Sequence, residues 1–265
     1  YLDADAALRL IRRFEAPAAV VIKHTNPAGC AVDTDPETAY RRALATDPMS
    51  AFGGVVGLNR PLDAETAAAI VESFKEVVIA PAVTDAAHDE LASTEDLRVL
   101  TYDATAPTPE HMIAPVTGGF LRQQADRYRL EPDALEVVTE AAVEVDDAAL
   151  QFGWEVTKRV TSNAIVLTKG TATVGIGMGQ VSRVDAVELA IRKAREHAEG
   201  ADPAGAVLFS DAFFPFPDAI DLAADAEIAT IIQPGGSKND AAVIERCDTH
   251  GIAMGFTGHR GFRHT

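Results

Sequence analysis

Apolar segments of strand length alternate with amphipathic segments along the chain, and this alternation constrains the fold more than any other feature. Nine segments carry the short apolar runs that strands favour: PAAVVIKH, AFGGVVGL, EVVIAPAV, LRVLTYD, NAIVLTKG, TATVGIGMG, GAVLFSD, ATIIQPGG and GIAMGFTG. Four segments place apolar residues at the i, i+3, i+4 spacing of a helix: 38–46, 64–74, 185–196 and 240–250. The alternation predicts an α/β fold in which helices cover the sheet.

The order of these elements repeats along the chain. In the first half, DPMSAFGG is followed by a helix, VVIAP, a second helix and RVLTYD; in the second half, SDAFFPF is followed by a helix, TIIQP, a second helix and IAMGFTG. We therefore predict two similar α/β units in tandem, over residues 1–125 and 126–265, joined through the Pro-, Thr- and Gly-rich stretch 104–119. The alternative is a chance similarity between two ordinary α/β segments.

The charge of the chain restricts its partners. Among 265 residues, 23 Lys and Arg face 40 Asp and Glu, which gives a formal net charge of −17. This charge argues against nucleic acid as a partner, because phosphate contacts need a basic face. The acidic residues are dispersed, which indicates a solvated acidic surface. Such a surface is typical of proteins from concentrated salt, as in a halophile, and an ordinary acidic cytosolic protein is the alternative.

The apolar content and the two cysteines narrow the class of protein. A chain of this length with 47% hydrophobic residues can bury a core. No apolar stretch approaches the roughly 20 residues of a membrane helix, and YLDADAALRL at the start indicates a helix, not a secretion signal. We therefore expect a cytoplasmic protein without a membrane partner. Cys30 and Cys247 lie far apart and lack metal-ligand spacing, so neither a disulfide framework nor a zinc site is indicated.

A Lys-His pair ends the first predicted strand. Lys23 and His24 follow AAVVI, and Asn26, Pro27 and Gly29 are predicted to turn the chain. Open α/β sheets usually bind ligands at strand ends. A histidine transfers protons near neutral pH and an ammonium stabilises negative charge on oxygen, so the pair suits acyl or formyl transfer to an amine. The alternative is a solvated sheet edge without a catalytic role.

Three further segments are candidates for ligand binding. GIGMG precedes Arg183 and a helix near Asp185, so its amides could bind an anion, although glycines at a close approach of strand and helix explain it equally well. SDAFFPFPD places three phenylalanines beside two carboxylates, which either pack a core or stack on a flat heterocycle. QPGGSKND leads into a helix that starts near Ser237 and Asn239, as an anion site or as an ordinary cap.

With these segments taken together, the chain resembles the aminoimidazole carboxamide ribotide (AICAR) transformylase family, the C-terminal part of a bifunctional purine-biosynthesis enzyme. KHTNPAG, DPMSAFGG, SNAI, GIGMGQVSR, SDAFFPF, IQPGGS and RGFRH occur in family order, and GGFLRQQAD is similar to the family's GG-x-L-x-Q-x-x-D. The resemblance extends over the chain. It implies two cytidine-deaminase-like α/β units, each a mixed sheet covered by helices, and a homodimer with active sites at the subunit interface.

The resemblance also implies an activity. A member of the family would transfer a formyl group from the co-substrate 10-formyltetrahydrofolate to the 5-amino group of AICAR, with potassium as a bound ion in some members and without zinc. We expect no IMP cyclohydrolase domain in this chain. Two other functions stay open: a noncatalytic domain that binds folate or nucleotide, and a nucleotide deaminase. A zinc deaminase needs an H-x-E together with P-C-x-x-C, and the latter motif is absent from the sequence.

Roles follow from the resemblance residue by residue. Lys23 would act on the formyl oxygen and His24 on the proton of the attacking amine, with His264 as a third catalytic residue. The remaining matches are Asp103, Asn163, Arg183, Phe213, Arg260 and Phe262 for the nucleotide, Phe216, Asp218, Ser237 and Lys238 for the folate, and Asp211 for potassium. An aromatic amine is a poor nucleophile, so proton transfer and oxyanion stabilisation would each supply about 10²-fold or more in rate.

Three departures from the family pattern bear on this site. Ala28 stands where the family usually has Cys, and we expect little loss from it. Pro217 stands where the family usually has Arg before Asp218, which removes a charge and stiffens the backbone on the folate side. The family's nucleotide-binding RYG-x-NPHQ segment precedes Tyr1, so we expect that part of the nucleotide site is missing or comes from residues outside this sequence.

Overall fold

The first half of the chain forms five strands, and its hairpin lies at one end of their order. The computed structural model describes residues 1–92, 94–197 and 202–264. The elements of the first half are, in chain order, α1 (Leu2–Ile11), β1 (Ala18–Lys23), β2 (Asn26–Val32), α2 (Pro36–Thr46), α3 (Pro48–Ala51), β3 (Gly54–Leu58), α4 (Ala64–Val71), β4 (Lys75–Ala80), α5 (Asp85–Leu91) and β5 (Arg98–Thr101). Aspartates start three of these helices: Asp35 accepts a hydrogen bond from Thr38 N, Asp47 accepts one from Ser50 N, and Asp63 accepts one from Thr66 N.

A separate hairpin lies between the two halves. Strands β6 (His111–Val116) and β7 (Gly119–Gln124) pair with each other as a two-stranded sheet. A 3₁₀ helix (Pro132–Ala134) and the short strand β8 (Glu136–Val137) follow. The sequence predicted an irregular connection here. Its Pro and Gly residues favour turns, so the strand-like segments on either side of Gly118 were not recognised.

The second half repeats the first. Its elements are α6 (Asp147–Thr157), β9 (Ile165–Lys169), β10 (Ala172–Gly177), α7 (Arg183–His197), β11 (Val207–Ser210), α8 (Asp218–Asp225), β12 (Thr230–Gln233), α9 (Asp240–His250) and β13 (Ala253–Phe256). Each half thus contains a helix, a hairpin, and three more strands separated by helices. The predicted repetition of element order is present in the structure.

The two halves share one mixed sheet of eleven strands, in the order β5-β4-β3-β1-β2-β10-β9-β11-β12-β13-β8. In the first half, β1 is antiparallel to β2 and β3, and β3, β4 and β5 are parallel; β9, β10, β11, β12 and β13 repeat this pattern. The halves meet where β2 and β10 pair antiparallel at Ala31 and Ala172. The sequence predicted a sheet in each unit, and pairing at this seam instead covers two edges that would otherwise expose backbone hydrogen-bonding groups. The boundary at residues 125 and 126 stays a prediction.

Helices cover both faces of the sheet, as predicted. Along β1, Ala19 and Val21 pack in one buried cluster with residues of α2, α4 and α5, while Val20 and Ile22 pack in another with residues of α1 and α6. Successive residues of a strand point to opposite faces, so these clusters are separate layers. The second cluster contains residues of both halves and therefore joins them. None of the helices in the described ranges is long and apolar enough to cross a membrane.

The prediction that Asn26, Pro27 and Gly29 turn the chain is wrong. These residues belong to β2, and the hairpin turns at His24 and Thr25. The pairing shifts between Val21 and Ile22, so Pro27 lies beside an irregularity, where a residue without an N–H is tolerated. Asn-Pro and Gly favour turns, which is why the sequence pattern indicated one there.

Candidate active site

His24 lies in a tight turn at the end of β1. His24 and Thr25 join β1 to β2, and both have positive φ, 51° and 64°. Residues other than glycine rarely adopt this conformation, and it costs on the order of 1–3 kcal/mol for each residue. The side chain of His24 is exposed. The turn therefore presents the imidazole to solvent where β1 ends. We call this side of the sheet, formed by strand ends and not by an outer strand, the site edge, or simply the edge.

Lys23 is fixed beside this turn by the loop before β3. Its Nζ donates to Phe52 O at 2.9 Å and to Gly53 O at 3.0 Å. Gly53 has a φ of 64°, and a Cβ there would come within 3.1 Å of Lys23 Nζ. An ammonium has three donor protons. The two carbonyls thus orient the group and leave a third proton for a substrate oxygen.

The C-terminal tail crosses the same edge. Ser162 N donates to Arg263 O at 2.8 Å, Arg263 N donates to Ser162 Oγ at 3.1 Å, and Arg263 Nη1 donates to Thr25 O at 2.8 Å. These bonds carry the exposed side chains of Phe262 and His264 to the side of the sheet where His24 turns. The structure therefore brings the three predicted catalytic residues to one edge.

The guanidinium of Arg263 is partly buried and lies near other positive charges. Burial, and then the nearby charges of Arg159 and Arg9, lower the pKa of its guanidinium, while Asp5 raises it. The group stays charged at any ordinary pH. A partly buried charge needs hydrogen bonds, and the carbonyls of Thr25 and Arg159 accept them.

Asn163 and Arg183 form a hydrogen-bonded network behind the exposed surface. Arg183 Nη2 donates to Asn163 Oδ1 at 2.8 Å, and Arg183 Nη1 forms an ion pair with Asp211. The Asn163 amide donates in turn to Gln180 O and Val181 O, at 2.9 and 3.0 Å. Arg183 is 7% exposed and Asp211 is fully buried. Hydrogen bonds within the protein therefore occupy many of the donors and acceptors of Asn163 and Arg183. Their assignment to nucleotide binding stays a prediction.

The surroundings of Asp211 favour an internal ion pair. One carboxylate oxygen accepts hydrogen bonds from Arg183 and from Ala164 N, and the other accepts one from Ser162 Oγ. The guanidinium already balances the carboxylate charge, so these contacts give a potassium ion little advantage, and the ion stays a prediction. Among the residues that the structure describes, no group of three or more His, Cys, Asp or Glu side chains is arranged to hold a metal ion.

Two of the three glycines in GIGMG, Gly175 and Gly177, allow close packing of a strand and a helix. Gly175 and Gly177 lie in β10 against α7, and a Cβ on Gly177 would stand 1.9 Å from Ala186 O. A Cβ on Gly175 would stand 2.3 Å from the backbone of the same helix. These distances support the close approach of strand and helix, which was one of the two interpretations of GIGMG.

A cleft of about 440 Å³ opens beside this network, and we call it the phenylalanine cleft. It is lined by Asn163, Val181, Ser182, Arg183, Val184, Ala212, Phe213, Pro215, Phe216, Asp218, Ala219 and Phe262. Phe216 is 59% exposed although it is a large apolar side chain. The three phenylalanines of SDAFFPFPD thus divide between the two interpretations: Phe214 is fully buried in the core, while Phe213 and Phe216 line the cleft, where their rings could stack on a flat heterocycle.

Charged groups flank the phenylalanine cleft. The guanidinium of Arg260 lies over the Phe213 ring, 5.0 Å from its centroid, and Arg260 also borders a neighbouring cavity of about 480 Å³. Asn239 Nδ2 donates to Pro215 O at 2.6 Å, which holds the loop of Ser237 and Lys238 against the segment that lines the cleft. The side chain of Lys238 is exposed.

Side-chain oxygens of the protein bind the backbone amides just before α9, although its N-cap residue, Asn239, makes no side-chain cap hydrogen bond. Gly236 N and Ser237 N donate to the carboxylate of Asp240, at 2.7 and 3.1 Å, and Asn239 N donates to Ser237 Oγ at 3.1 Å. These amides are the ones that an anion would use. An anion there would have to displace Asp240 and Ser237, so the contacts disfavour the anion site.

Asp103 lies away from the other predicted nucleotide residues. It follows β5, which is an outermost strand of the sheet. Its Oδ1 accepts hydrogen bonds from Thr105 N and Oγ1 at 2.8 and 2.6 Å. Five strands separate β5 from β9, the strand that begins just after Asn163. One copy of the chain does not bring Asp103 together with Asn163 and Arg183.

Sequence reasoning missed two residues of this site. Asp3 Oδ1 accepts a hydrogen bond from Thr25 N at 2.6 Å, and Arg263 binds Thr25 O. The position of Arg263 between Phe262 and His264 was a usable signal, since neighbours of two assigned residues lie in the same tail. Asp3 had no such signal, because it resembles any acidic residue in the first turn of a helix.

Comparison with known proteins adds a family and two relatives. Residues 1–193 match the family model described as the AICARFT/IMPCHase bienzyme. The chain is 46% identical over 265 residues to the bifunctional purine biosynthesis protein PurH of Thermoanaerobacter sp. (strain X514), covering 99% of this chain and 51% of that protein. It is also 46% identical over 264 residues to PurH of Halalkalibacterium halodurans, with the same shares. The chain spans about half the length of the curated relatives it matches.

A solved structure gives a weaker likeness. It is a diaminohydroxyphosphoribosylaminopyrimidine deaminase/5-amino-6-(5-phosphoribosylamino)uracil reductase from Thermotoga maritima, with 24% identity over 40% of this chain and 33% of that chain. The TM-score is 0.27, which is too low to support an argument about fold or function.

Proposed function

Because the chain belongs to the AICARFT/IMPCHase bienzyme family, we propose that it transfers a formyl group from 10-formyltetrahydrofolate to the 5-amino group of AICAR. One observation carries the proposal. Lys23, held by two carbonyls, and His24, exposed on a tight turn, lie at the edge of the sheet that the C-terminal tail also crosses. A fixed cation and an exposed imidazole on adjacent residues can supply the two functions that acyl transfer to an amine needs, oxyanion stabilisation and proton transfer.

The proposed chemistry divides between these two side chains. The amine nitrogen attacks the formyl carbon, and His24 accepts the proton that this nitrogen loses. Lys23 Nζ stabilises the negative charge on the formyl oxygen with its remaining proton. The bond between the formyl carbon and the folate nitrogen then breaks, and the protonated His24 returns a proton to that nitrogen. The imidazole is neutral at the start and at the end, so the step balances without a further reactant.

The two substrates would occupy the phenylalanine cleft and its charged borders. Phe213 and Phe216 offer faces for flat rings, and Asp218 offers an acceptor for ring N–H groups. Arg260 provides a positive charge for the anionic ribotide. Lys238 lies on the loop held against Pro215, where its charge suits the glutamate of the folate.

We also propose that the active unit is a homodimer built from cytidine-deaminase-like halves. The repeated topology supports the similarity of the halves. Phe120, Leu121 and Ile113 of the β6–β7 hairpin are more than 60% exposed, which is unusual for apolar side chains of this size. A second copy could cover them and could also supply Asp103 to the nucleotide site.

The test is a titration of AICAR and of a folate analogue against this chain, followed by an assay of formyl transfer from 10-formyltetrahydrofolate. Binding of both ligands together with formation of the formylated product supports the proposal. Binding without turnover favours the noncatalytic domain instead. Failure to bind either ligand contradicts both.

A further inference from the structure

The turn that carries His24 is held in an unfavourable backbone conformation by contacts from outside the hairpin. Two-residue turns with positive φ at both positions favour glycine at the second one, where this chain has the β-branched Thr25. Such a backbone persists only where its surroundings determine it. The groups that hold Thr25 therefore also set the direction of the preceding residue, His24.

Two charged side chains bind the two backbone groups of Thr25. Asp3 Oδ1, in α1, accepts a hydrogen bond from Thr25 N at 2.6 Å. Arg263 Nη1, in the C-terminal tail, donates to Thr25 O at 2.8 Å. Hydrogen bonds that involve a charged group are shorter and stronger than neutral ones. They can therefore offset the cost of the positive φ.

The turn is tied to the rest of the edge by a further bond. Asn26 Oδ1 accepts a hydrogen bond from Thr161 N at 2.8 Å, next to Ser162, which pairs with the backbone of Arg263. The tail, the segment of Ser162 and the turn thus form one connected unit. A displacement of Arg263 would move both the turn and the neighbouring Phe262 and His264.

We propose that Asp3 and Arg263 are positioning residues, which aim the His24 imidazole by holding Thr25 in its left-handed conformation. The inference rests on the proposed formyl transfer, since it assigns these residues a part in that reaction. Neither side chain needs to touch a substrate. Both act through the backbone of the turn.

Arg263→Met is the first test, since it removes the guanidinium and keeps an unbranched stem. We expect kcat to fall about 10- to 100-fold with a smaller change in KM, because misplacing a reacting group by about 1 Å costs about 10²-fold in rate. Arg263→Lys keeps a charged donor and should recover part of the loss. Arg42→Met is the matched control, since Arg42 binds Asp33 and Val32 O at the opposite end of β2. It should leave kcat unchanged.

Thr25→Gly makes the test specific for backbone conformation. Glycine adopts positive φ without a steric cost. In the Arg263→Met background, Thr25→Gly should therefore raise kcat again by about 3-fold or more. Glycine at this position adopts the left-handed conformation more easily, so the turn depends less on the hydrogen bond from the guanidinium. Urea unfolding of each variant identifies any loss that comes from a smaller folded fraction.

The NMR signal of the His24 Cε1–H gives a readout independent of turnover, and His24→Ala assigns it. We expect this signal to shift or broaden in Arg263→Met and to return when Thr25→Gly is added. An unmoved His24 signal in Arg263→Met overturns the inference, as does a loss of kcat that Thr25→Gly does not restore. If the unsubstituted chain shows no turnover at all, the proposed function fails, and the His24 signal alone then decides on positioning.

Discussion

At the scale of single residues, the site separates into groups that face solvent and groups that the protein already uses. Lys23, His24 and Lys238 have free donors or exposed side chains at the edge and at the cleft. Arg183 and Asp211 are paired and buried. Lys23, His24 and Lys238 are therefore the groups available to a ligand, while Arg183 and Asp211 stabilise the structure beneath them.

His24→Ala should abolish formyl transfer and leave the fold intact. The change removes a proton carrier from an exposed turn and creates no cavity, so we expect kcat to fall by about 10²- to 10⁴-fold. Steady-state kinetics and a circular dichroism spectrum measure the two effects. His250→Ala, an exposed histidine in α9 that lies 2.9 Å from Asp221, is the control and should keep normal turnover. Near-normal activity of His24→Ala would remove His24 from the mechanism.

Lys23→Met should act mainly on the chemical step. Methionine keeps most of the length and loses the charge, so we expect a large fall in kcat, on the order of 10²-fold, and a smaller change in KM. The bonds to Phe52 O and Gly53 O are lost as well, so a urea unfolding curve should accompany the kinetics. An effect limited to KM would make Lys23 a binding residue instead.

At the scale of elements, the seam and the strand-helix contacts depend on small residues. Ala31 and Ala172 pair where the two halves join, and Gly175 and Gly177 let α7 approach β10. Larger side chains at these positions would separate the layers. The halves are therefore joined by close packing as well as by backbone pairing.

Gly177→Ala should destabilise the protein. The added methyl would meet Ala186 O at 1.9 Å, and α7 must shift to make room. We expect a loss of about 1–3 kcal/mol in the free energy of unfolding. Gly119→Ala, where a Cβ would meet nothing within 4 Å, is the matched control and should change stability little. Equal unfolding midpoints for the two variants in urea would contradict this account of GIGMG.

The sequence predicted elements better than it predicted their details. All nine proposed strands are present, because runs such as AAVVI and NAIVL are apolar on both faces and bounded by turn residues. Strand β2 was missed because Asn26, Pro27 and Gly29 suggest a turn, while the real turn uses His24 and Thr25 at positive φ, which no local pattern indicates. The pairing of Arg183 with Asp211 depends on residues 28 positions apart and could not be read from either motif.

At the scale of the whole molecule, charge opposes the proposed assembly and both proposed ligands. The net charge of −17 repels a second copy of the chain, the ribotide phosphate and the folate glutamate. The exposed β6–β7 hairpin favours association through its apolar side chains. The balance between these terms depends on ionic strength.

Concentrated salt should therefore increase dimer formation and affinity together. The screening length falls from about 10 Å at 0.1 M to about 3 Å at 1 M, so long-range repulsion weakens while short contacts to Arg260 and Lys238 persist. We expect a larger dimer fraction in sedimentation and a lower KM for AICAR at 1 M potassium chloride than at 0.1 M. Sodium chloride at equal strength is the control for a specific potassium site. Flat or worsening values across the range would show that the acidic surface serves solubility alone.

The repeated topology gives the turn of His24 a counterpart in the other half. His24 and Thr25 join β1 to β2 after Lys23, and Gly170 and Thr171 join β9 to β10 after Lys169, at the equivalent position. Gly170 has a φ of 56°, so the second turn has the same left-handed start without an imidazole. Thr171 O accepts a hydrogen bond from Val32 N at 2.9 Å, which ties that turn to β2. The two hairpin turns thus differ in what they present: the first exposes an imidazole to solvent, and the second is hydrogen-bonded to a strand of the other half.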